Sequence, residues 1–167
     1  MKFPIEIKVN NMNDAADINL SIVSDKDLKT VWEMQKIGFA QWGKKYHDGA
    51  ITKEPFKKLL ERAKRPDVIY YFIMKNKDPI GVICVRNINT AKRKQIAPIW
   101  IMPDYLNHGY GQKAIKLLED IHGTTNWELK TGVKERRNLH FYEKLGYHKT
   151  DVIETVNNYL SVILLVK

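Results

Sequence analysis

A short glycine-bearing turn, Asn107-His108-Gly109-Tyr110-Gly111, joins a strand-like segment to an amphipathic one, and this junction constrains the fold more than any other stretch. Ahead of it, Gln95 to Met102 reads as a strand closed by Pro103. Behind it, Ala114, Leu117, Leu118 and Ile121 recur at helical spacing. Glycines between a strand end and a helix start let the backbone approach a ligand closely. The unpaired N–H groups of the helix's first turn then face an anion such as a phosphate. A G-x-G by itself is equally a tight turn; the strand before it and the helix after it favour the anion-binding reading.

The rest of the chain falls into elements around that junction. Residues 1–17 are polar and weakly patterned and read as an extended lead-in to one domain over residues 18–167. Ile18 to Val23 reads as a strand. Ser24 then caps a helix, with Asp27 in a capping-box position, and Leu28, Val31, Trp32 and Ile37 form its apolar side. A second helix runs from near Thr52 to Pro66 on Phe56, Leu59, Leu60 and Ala63. Between the two helices, Phe39 to Ile51 reads as a loop whose Trp42, Tyr46, His47 and Asp48 suit a pocket for a cationic amine.

Val68 to Lys75 and Ile80 to Ile88 form a hairpin about Asn76-Lys77-Asp78-Pro79. After the glycine turn a helix runs to His122, where Gly123 ends it as a left-handed cap. Trp127 to Val133 is a strand, and Lys134 to Leu145 a helix closed by Gly146. His148 to Val156 and Tyr159 to Val166 make a closing pair. The order βααβββαβαββ predicts an α/β (α+β) sandwich: a mixed, mostly antiparallel sheet of about seven strands flanked by four helices. Its parallel neighbours should flank the central strand–helix–strand unit.

Composition narrows the function. With 44% hydrophobic and 28% charged residues over 167 positions, the chain has the balance of a soluble globular protein. The apolar run from Tyr159 to Val166 is too short to span a bilayer, and no signal peptide is read, so no membrane role is expected. The lone Cys84 excludes an intramolecular disulfide, sits in the apolar run Ile80–Val85 as a core residue, and points to a reducing cytoplasmic location. The net charge of +9 is scattered over Lys44-Lys45, Lys57-Lys58, Lys92-Arg93-Lys94 and Arg136-Arg137. It reads as solubilising surface charge rather than a nucleic-acid site. The histidines at 47, 108, 122, 140 and 148 never pair at metal-ligand spacing, so no metal is expected.

Two segments carry a family resemblance. Ile99-Trp100-Ile101-Met102-Pro103, followed by Leu106-Asn107-His108-Gly109-Tyr110-Gly111, resembles the acetyl-CoA-binding core motif of the GNAT superfamily of N-acetyltransferases. Asn138-Leu139-His140-Phe141-Tyr142-Glu143-Lys144-Leu145-Gly146-Tyr147 is similar to that family's second motif, a helix carrying a Tyr and ending at a Gly-aromatic pair. Trp127-Glu128-Leu129 lies between them at the family's separation, and the element order from Ile18 onward also matches. Two positions depart from the pattern. Leu106 stands where the family usually has Arg or Gln, and Glu135 where it commonly has Asn. The backbone donors survive the first change. Asn138, one turn further along the same helix face, is the candidate to replace the second.

The resemblance implies a GNAT fold in which the strand before the glycine turn bulges and splays from its parallel neighbour, and acetyl-CoA enters the opening. Pro98 fits independently, because a proline cannot donate to a ladder and would be a fault in a fully paired central strand. Ile99, Trp100 and Ile101 would lie along the acetyl and pantetheine. The N–H groups from Leu106 through Asn107, His108, Gly109, Tyr110, Gly111 and Gln112 would cradle the pyrophosphate. Asn138, Tyr142 and Lys144 complete the cofactor-binding set. Trp100 is equally suited to filling the core on one sheet face.

The reaction implied is direct transfer of acetyl from CoA to a primary amine of a small molecule or peptide. A backbone N–H near Ile101 would serve the oxyanion. Tyr142 is the candidate general acid, since a phenol of ordinary pKa about 10 stays protonated and can neutralise a thiolate of pKa about 8.5. Glu128 is the candidate base, with His47 and Glu33 behind it and water as an equal alternative. His140 reads as a surface residue. A covalent acetyl-enzyme is not expected, because Cys84 has no partnered histidine. Leu106 and Glu135 leave open an acyl-CoA-binding module without turnover, and the charge alone would suggest a nucleic-acid binder. The apolar closing strand near Tyr159–Val166 offers an edge for a homodimer.

Overall fold

Two long apolar segments, β2 (Val68–Lys75) and β3 (Asp78–Arg86), make the centre of the sheet in the computed structural model, which describes residues 18–167. The lead-in expected over residues 1–17 lies outside the described residues. Rich in Val, Ile and aromatic residues, these strands suit a pleated surface packed on both faces. Their turn is tighter than expected: Lys75 pairs with Asp78 across Asn76-Lys77, and Asn76 takes φ 55°. Asp78 and Pro79 therefore belong to β3, and the register shifts between Ile73 and Met74 where the proline is accommodated.

Seven strands form one sheet in the order β1-β2-β3-β4-β5-β7-β6, with β1 (Ile18–Ile22), β4 (Lys94–Ile101), β5 (Trp127–Gly132), β6 (His148–Thr155) and β7 (Ser161–Val166). Among the described strands β4 and β5 are the parallel neighbours, as the strand–helix–strand unit requires. The expected mixed, mostly antiparallel α/β sandwich is present. It carries five α-helices rather than four: α1 (Leu28–Gly38), α2 (Ala40–Tyr46), α3 (Phe56–Ala63), α4 (Tyr110–His122) and α5 (Arg136–Lys144).

The additional helix, α2, occupies the segment read as a loop. Gly43 and the polar residues hide its periodicity, but Trp42 and Tyr46 sit at i, i+4 and pack with ring centroids 4.6 Å apart. The helix stops at His47, which takes the left-handed conformation at φ 50°. Three boundaries differ for local reasons. The α3 helix begins after Pro55 instead of near Thr52, because a proline disfavours helical geometry in the residue before it. The Ser24 hydroxyl donates to the Asp27 carboxylate at 2.5 Å rather than capping the helix backbone, and a 3-10 turn over Asp25–Asp27 precedes α1. Gly123 has positive φ but extended ψ (97°, 152°), so the chain leaves α4 stretched toward β5.

Two buried layers sandwich the sheet. On one face α4, α5 and the turn after α5 pack Ile115, Leu118, Tyr142, Leu145 and Tyr147 against Ile83, Trp127, Leu129 and Leu165. On the other, α1 and α3 pack Leu28, Val31 and Leu59 against Val82, Cys84 and Trp100. Along α1 the buried stripe runs through Leu28, Val31 and Gln35 toward Gly38, so Ile37 falls off it and is 53% exposed, contrary to the expected apolar side. Cys84 is a core residue, and burial pushes its thiol up to about 11.

Of the closing pair, the strand available for edge pairing is β6, not β7. β7 is flanked by β5 and β6, whereas β6 ends the sheet and exposes Val152 and Ile153. No helix among the described residues is long and apolar enough to cross a membrane.

Candidate functional site

The site begins where β4 stops pairing with β5. Lys94 opposes Trp127 and Gln95 opposes Glu128; beyond that rung the ladder ends, while β5 stays paired with β7 from Glu128 to Gly132. On its other side β4 follows β3, but Ile83 opposes Ile99 and Val85 opposes Ile96, so Ala97 and Pro98 bulge opposite Cys84. An extra residue in one strand bends it, and proline removes a donor at the point where the ladder is already interrupted. The result is a wedge between two adjacent strands.

A cavity of about 390 Å³ opens at this wedge, walled by Ile96, Pro98 and Ile99 from β4 and by Leu129 and Thr131 from β5. Asn138 and Tyr142 enter from α5, spaced i, i+4 on one helix face. The Asn138 amide donates to Thr131 Oγ1 at 3.4 Å. Tyr142 is buried, edge-on to Phe141 and Tyr147, and burial pushes its phenol up to about 12. It is therefore held as a neutral acid.

A second cavity, about 190 Å³, runs from the first toward the glycine turn and shares Phe39, Trp42 and Ile99 with it. It ends at Pro103 and Leu106. The turn itself is built by two left-handed residues, Asn107 (φ 65°) and Gly109 (φ 76°), and Arg137 holds the Asn107 side chain at 2.6 Å. The first N–H of α4 with a backbone acceptor is that of Lys113, to Gly109 O at 3.2 Å. Among the described residues the N–H groups from Asn107 to Gln112 take no acceptor, which is the donor array an anion needs. A Cβ on Gly111 would meet Phe141 at 3.6 Å, an ordinary van der Waals contact, so α5 lies directly beside this turn. This donor set and the wedge fit a nucleotide-linked thioester such as acetyl-CoA.

Across the cavity, α1, α2 and the chain before α3 supply polar walls. Glu54 receives both terminal nitrogens of Arg62 (2.5 and 2.9 Å) and the Gln35 amide (2.9 Å). Burial alone would raise its pKa, but Arg62 and Gln35 outweigh that and hold the carboxyl below its ordinary value. Gln35 is fully buried; its Nε2 donates to Ile51 O and Glu54, and its Oε1 has no partner among the described residues. Asp48 accepts from the Trp42 indole at 3.3 Å and from the Ala50 N–H at 3.0 Å.

The sequence candidates separate into those the wedge gathers and those it leaves outside. Ile99, Asn138 and Tyr142 line the main cavity, while Ile101 and Leu106 line the smaller one. Tyr110 turns its ring into the core, stacked on His108. The Trp100 side chain is also a core group, edge-on to Phe39 at 5.6 Å, and only its flank meets the smaller cavity. Lys144 is exposed at the end of α5 and is not on either cavity wall. Glu128 forms the last paired rung, on the face opposite Trp127 and Leu129, and does not line the cavity that holds Tyr142. His47 is exposed and packs on Tyr159, and Glu33 and His140 are exposed.

Glu135 explains its own departure from the pattern: it accepts from Lys45 at 2.5 Å and from the Tyr46 hydroxyl, joining α2 to α5. Sequence reasoning missed this contact and the Glu54–Arg62–Gln35 network, since each joins different elements, the first about 90 residues apart and Gln35 and Glu54 19 apart. The i, i+8 spacing of Glu54 and Arg62 was the one local signal for the second. Among the described residues no group of three or more His, Cys, Asp or Glu side chains is placed to hold a metal ion.

Residues 33–147 match the family model described as Acetyltransferase (GNAT) family. Solved structures share the fold. The ribosomal-protein-S18-alanine N-acetyltransferase of Escherichia coli aligns with TM-score 0.71 at 15% identity, over 89% of this chain and 91% of that one. The PaiA N-acetyltransferase of Thermoplasma acidophilum in complex with coenzyme A aligns at 0.69 and 18%, over 90% and 99%. The spermidine N-acetyltransferase of Vibrio cholerae in complex with CoA and spermine aligns at 0.71 and 18%, over 89% and 93%. No match was found among curated protein sequences.

Proposed function

The chain belongs to the GNAT acetyltransferase family and is an acyltransferase, and from that premise we propose that it acetylates a primary amine of a small molecule or peptide by direct transfer in a ternary complex. The observation that carries this reading is the loss of pairing beyond Gln95 and Glu128, with the neutral phenol of Tyr142 on the wall of the gap. Acetyl-CoA, when bound, supplies an acetyl thioester whose C–S bond breaks as the new C–N bond forms.

The chain's own groups then have separable tasks. The N–H groups from Asn107 to Gln112 hold the pyrophosphate, and the smaller cavity between Leu106 and Ile99 takes the arm. Unpaired backbone of β4 and the Asn138 amide orient the pantetheine, and a β4 N–H near Ile101 steadies the oxyanion. Tyr142 Oη holds a proton at neutral pH and gives it to the departing sulfur.

The incoming amine must lose its proton. Glu54 is a poor acceptor, because Arg62 and Gln35 already occupy it. We assign this task to Asp48, passing the proton to solvent, and the Glu128 role gives way to it on position. The buried Cys84, among the described residues a free thiol, supports a reducing, cytoplasmic setting.

Thiol release from acetyl-CoA across an amine panel tests the reading. Turnover by wild type that collapses in Tyr142→Phe, with acetyl-CoA binding retained, is the expected result. No thiol release with any amine, despite acetyl-CoA binding, would leave the chain as a binding module.

A further inference from the structure

We propose that Arg86 anchors a carboxylate of the acceptor, so that the preferred substrates are amines that also carry a carboxylate group. This rests on the acetyl-transfer reading above and goes on to name its substrate class. Arg86 ends β3, two residues beyond Cys84 and four beyond Val82, both buried against α1 and α3. Strand alternation turns it to that same face, the acceptor side of the sheet, and it lines the main cavity. Its Nε donates to Ala97 O at 2.7 Å, so the guanidinium is fixed beside the bulge that opens the wedge.

The charges around it are unevenly paired. Glu54, the nearby carboxylate, feels both Arg62 and Arg86, but Arg62 already takes both of its oxygens. Arg62 and Glu54 therefore satisfy each other, and Arg86 is left without a carboxylate of its own. Among the described residues Arg86 makes no ion pair; besides Ala97 O, its side chain meets the buried Cys84 thiol, which is no counter-charge. A desolvated cation is costly unless an anion meets it, and a guanidinium fork matches a carboxylate with two parallel hydrogen bonds.

Across the same cavity stands Asp48, which makes no ion pair among the described residues. An unopposed anion and an unopposed cation in one cavity complement a zwitterion: the ammonium meets Asp48 and the carboxylate meets Arg86. A phosphate dianion would leave one charge uncompensated against a single guanidinium. A polyamine would put more positive charge beside Arg86.

The test uses matched amines with and without the carboxylate: β-alanine against ethylamine, 4-aminobutyrate against propylamine, 6-aminohexanoate against pentylamine, and spermidine as a carboxylate-free polyamine. Wild type should favour at least one carboxylated member by about tenfold or more in kcat/KM, carried by KM, and Arg86→Gln should collapse that ratio toward unity while Arg86→Lys keeps part of it. Equal use of both members of every pair, a preference for spermidine, or a preference that survives Arg86→Gln would overturn the inference while leaving acetyl transfer standing. If no amine is turned over, the transfer reading fails. Calorimetric titration with N-acetyl-β-alanine and N-acetyl-4-aminobutyrate then judges Arg86 alone: binding lost in a folded Arg86→Gln supports the anchor, and no binding to wild type refutes it.

Discussion

Gln95 and Glu128 face each other across the last rung of the β4–β5 ladder, and one residue further the strands have parted. That rung divides the two carboxylate-bearing sides of the site. Glu128 sits where pairing persists, and Asp48 reaches the space where it has ended. Glu128→Gln should therefore keep kcat/KM within about twofold of wild type, while Asp48→Asn lowers it by roughly 10²-fold at neutral pH and less at high pH, where more of the amine is neutral. Steady-state thiol release between pH 7 and 9.5 checks both.

Tyr142→Phe should lower kcat by about 10²- to 10³-fold with little change in acetyl-CoA affinity, since only the proton donor is removed. Burial disfavours the phenolate, so the folded phenol stays protonated until the pH nears about 12. The wild-type rate should accordingly keep rising through pH 10 as the amine, of ordinary pKa about 10.4, deprotonates. A descending limb centred below pH 9.5 would assign the acid to another group.

Gly38 faces the indole of Trp100 so closely that an added Cβ would stand 2.3 Å from Cδ1. Because Trp100 is wedged between α1 and β3 and meets Phe39 edge-on, it has little room to retreat. Gly38→Ala should destabilise the fold by about 1–3 kcal/mol despite the better helix propensity of alanine. A lowered urea midpoint at unchanged m-value is the expected signature.

The Arg62–Glu54 pair links α3 to the chain that precedes it, with side chains 20% and 10% exposed. Arg62→Met should cost about 3 kcal/mol, because Glu54 is left half-desolvated without its fork. Glu54 and Glu135 are both held below the ordinary carboxylate value, the first by Arg62 and Gln35, the second by Lys45 and Tyr46, in each case against the upward push of burial. Both bind fewer protons folded than unfolded near pH 4. Their stabilisation is thus fully present above about pH 4.5 and is lost as the pH falls through their lowered values. Thermal melts between pH 6 and 3 should show a steep decline in wild type and a shallower one in Arg62→Met.

Much of this arrangement was legible in the chain. The glycine turn, the proline in a strand that had to be broken, and the Tyr142 helix could be placed because each is a local pattern with a physical reason. Helix α2 escaped because its apolar pair, Trp42 and Tyr46, is diluted by Gly43 and lysines, and it is stabilised by Glu135 some 90 positions away. How far along β5 the opening begins is hidden in the sequence for a related reason. Alternation says that Glu128 and Leu129 point oppositely, but not at which residue the neighbouring strand departs. Trp100 had two open readings, and packing against Gly38 decided for the core.

The contacts of Tyr46 have a mechanical consequence. Its hydroxyl reaches Glu135 at the start of α5, and its carbonyl accepts the Asn157 amide at 3.0 Å from the turn between β6 and β7. One residue thus latches together three stretches that each put side chains on the main cavity wall. That wall should gape or shut as a unit, and a change that unhooks Tyr46 should loosen all three at once.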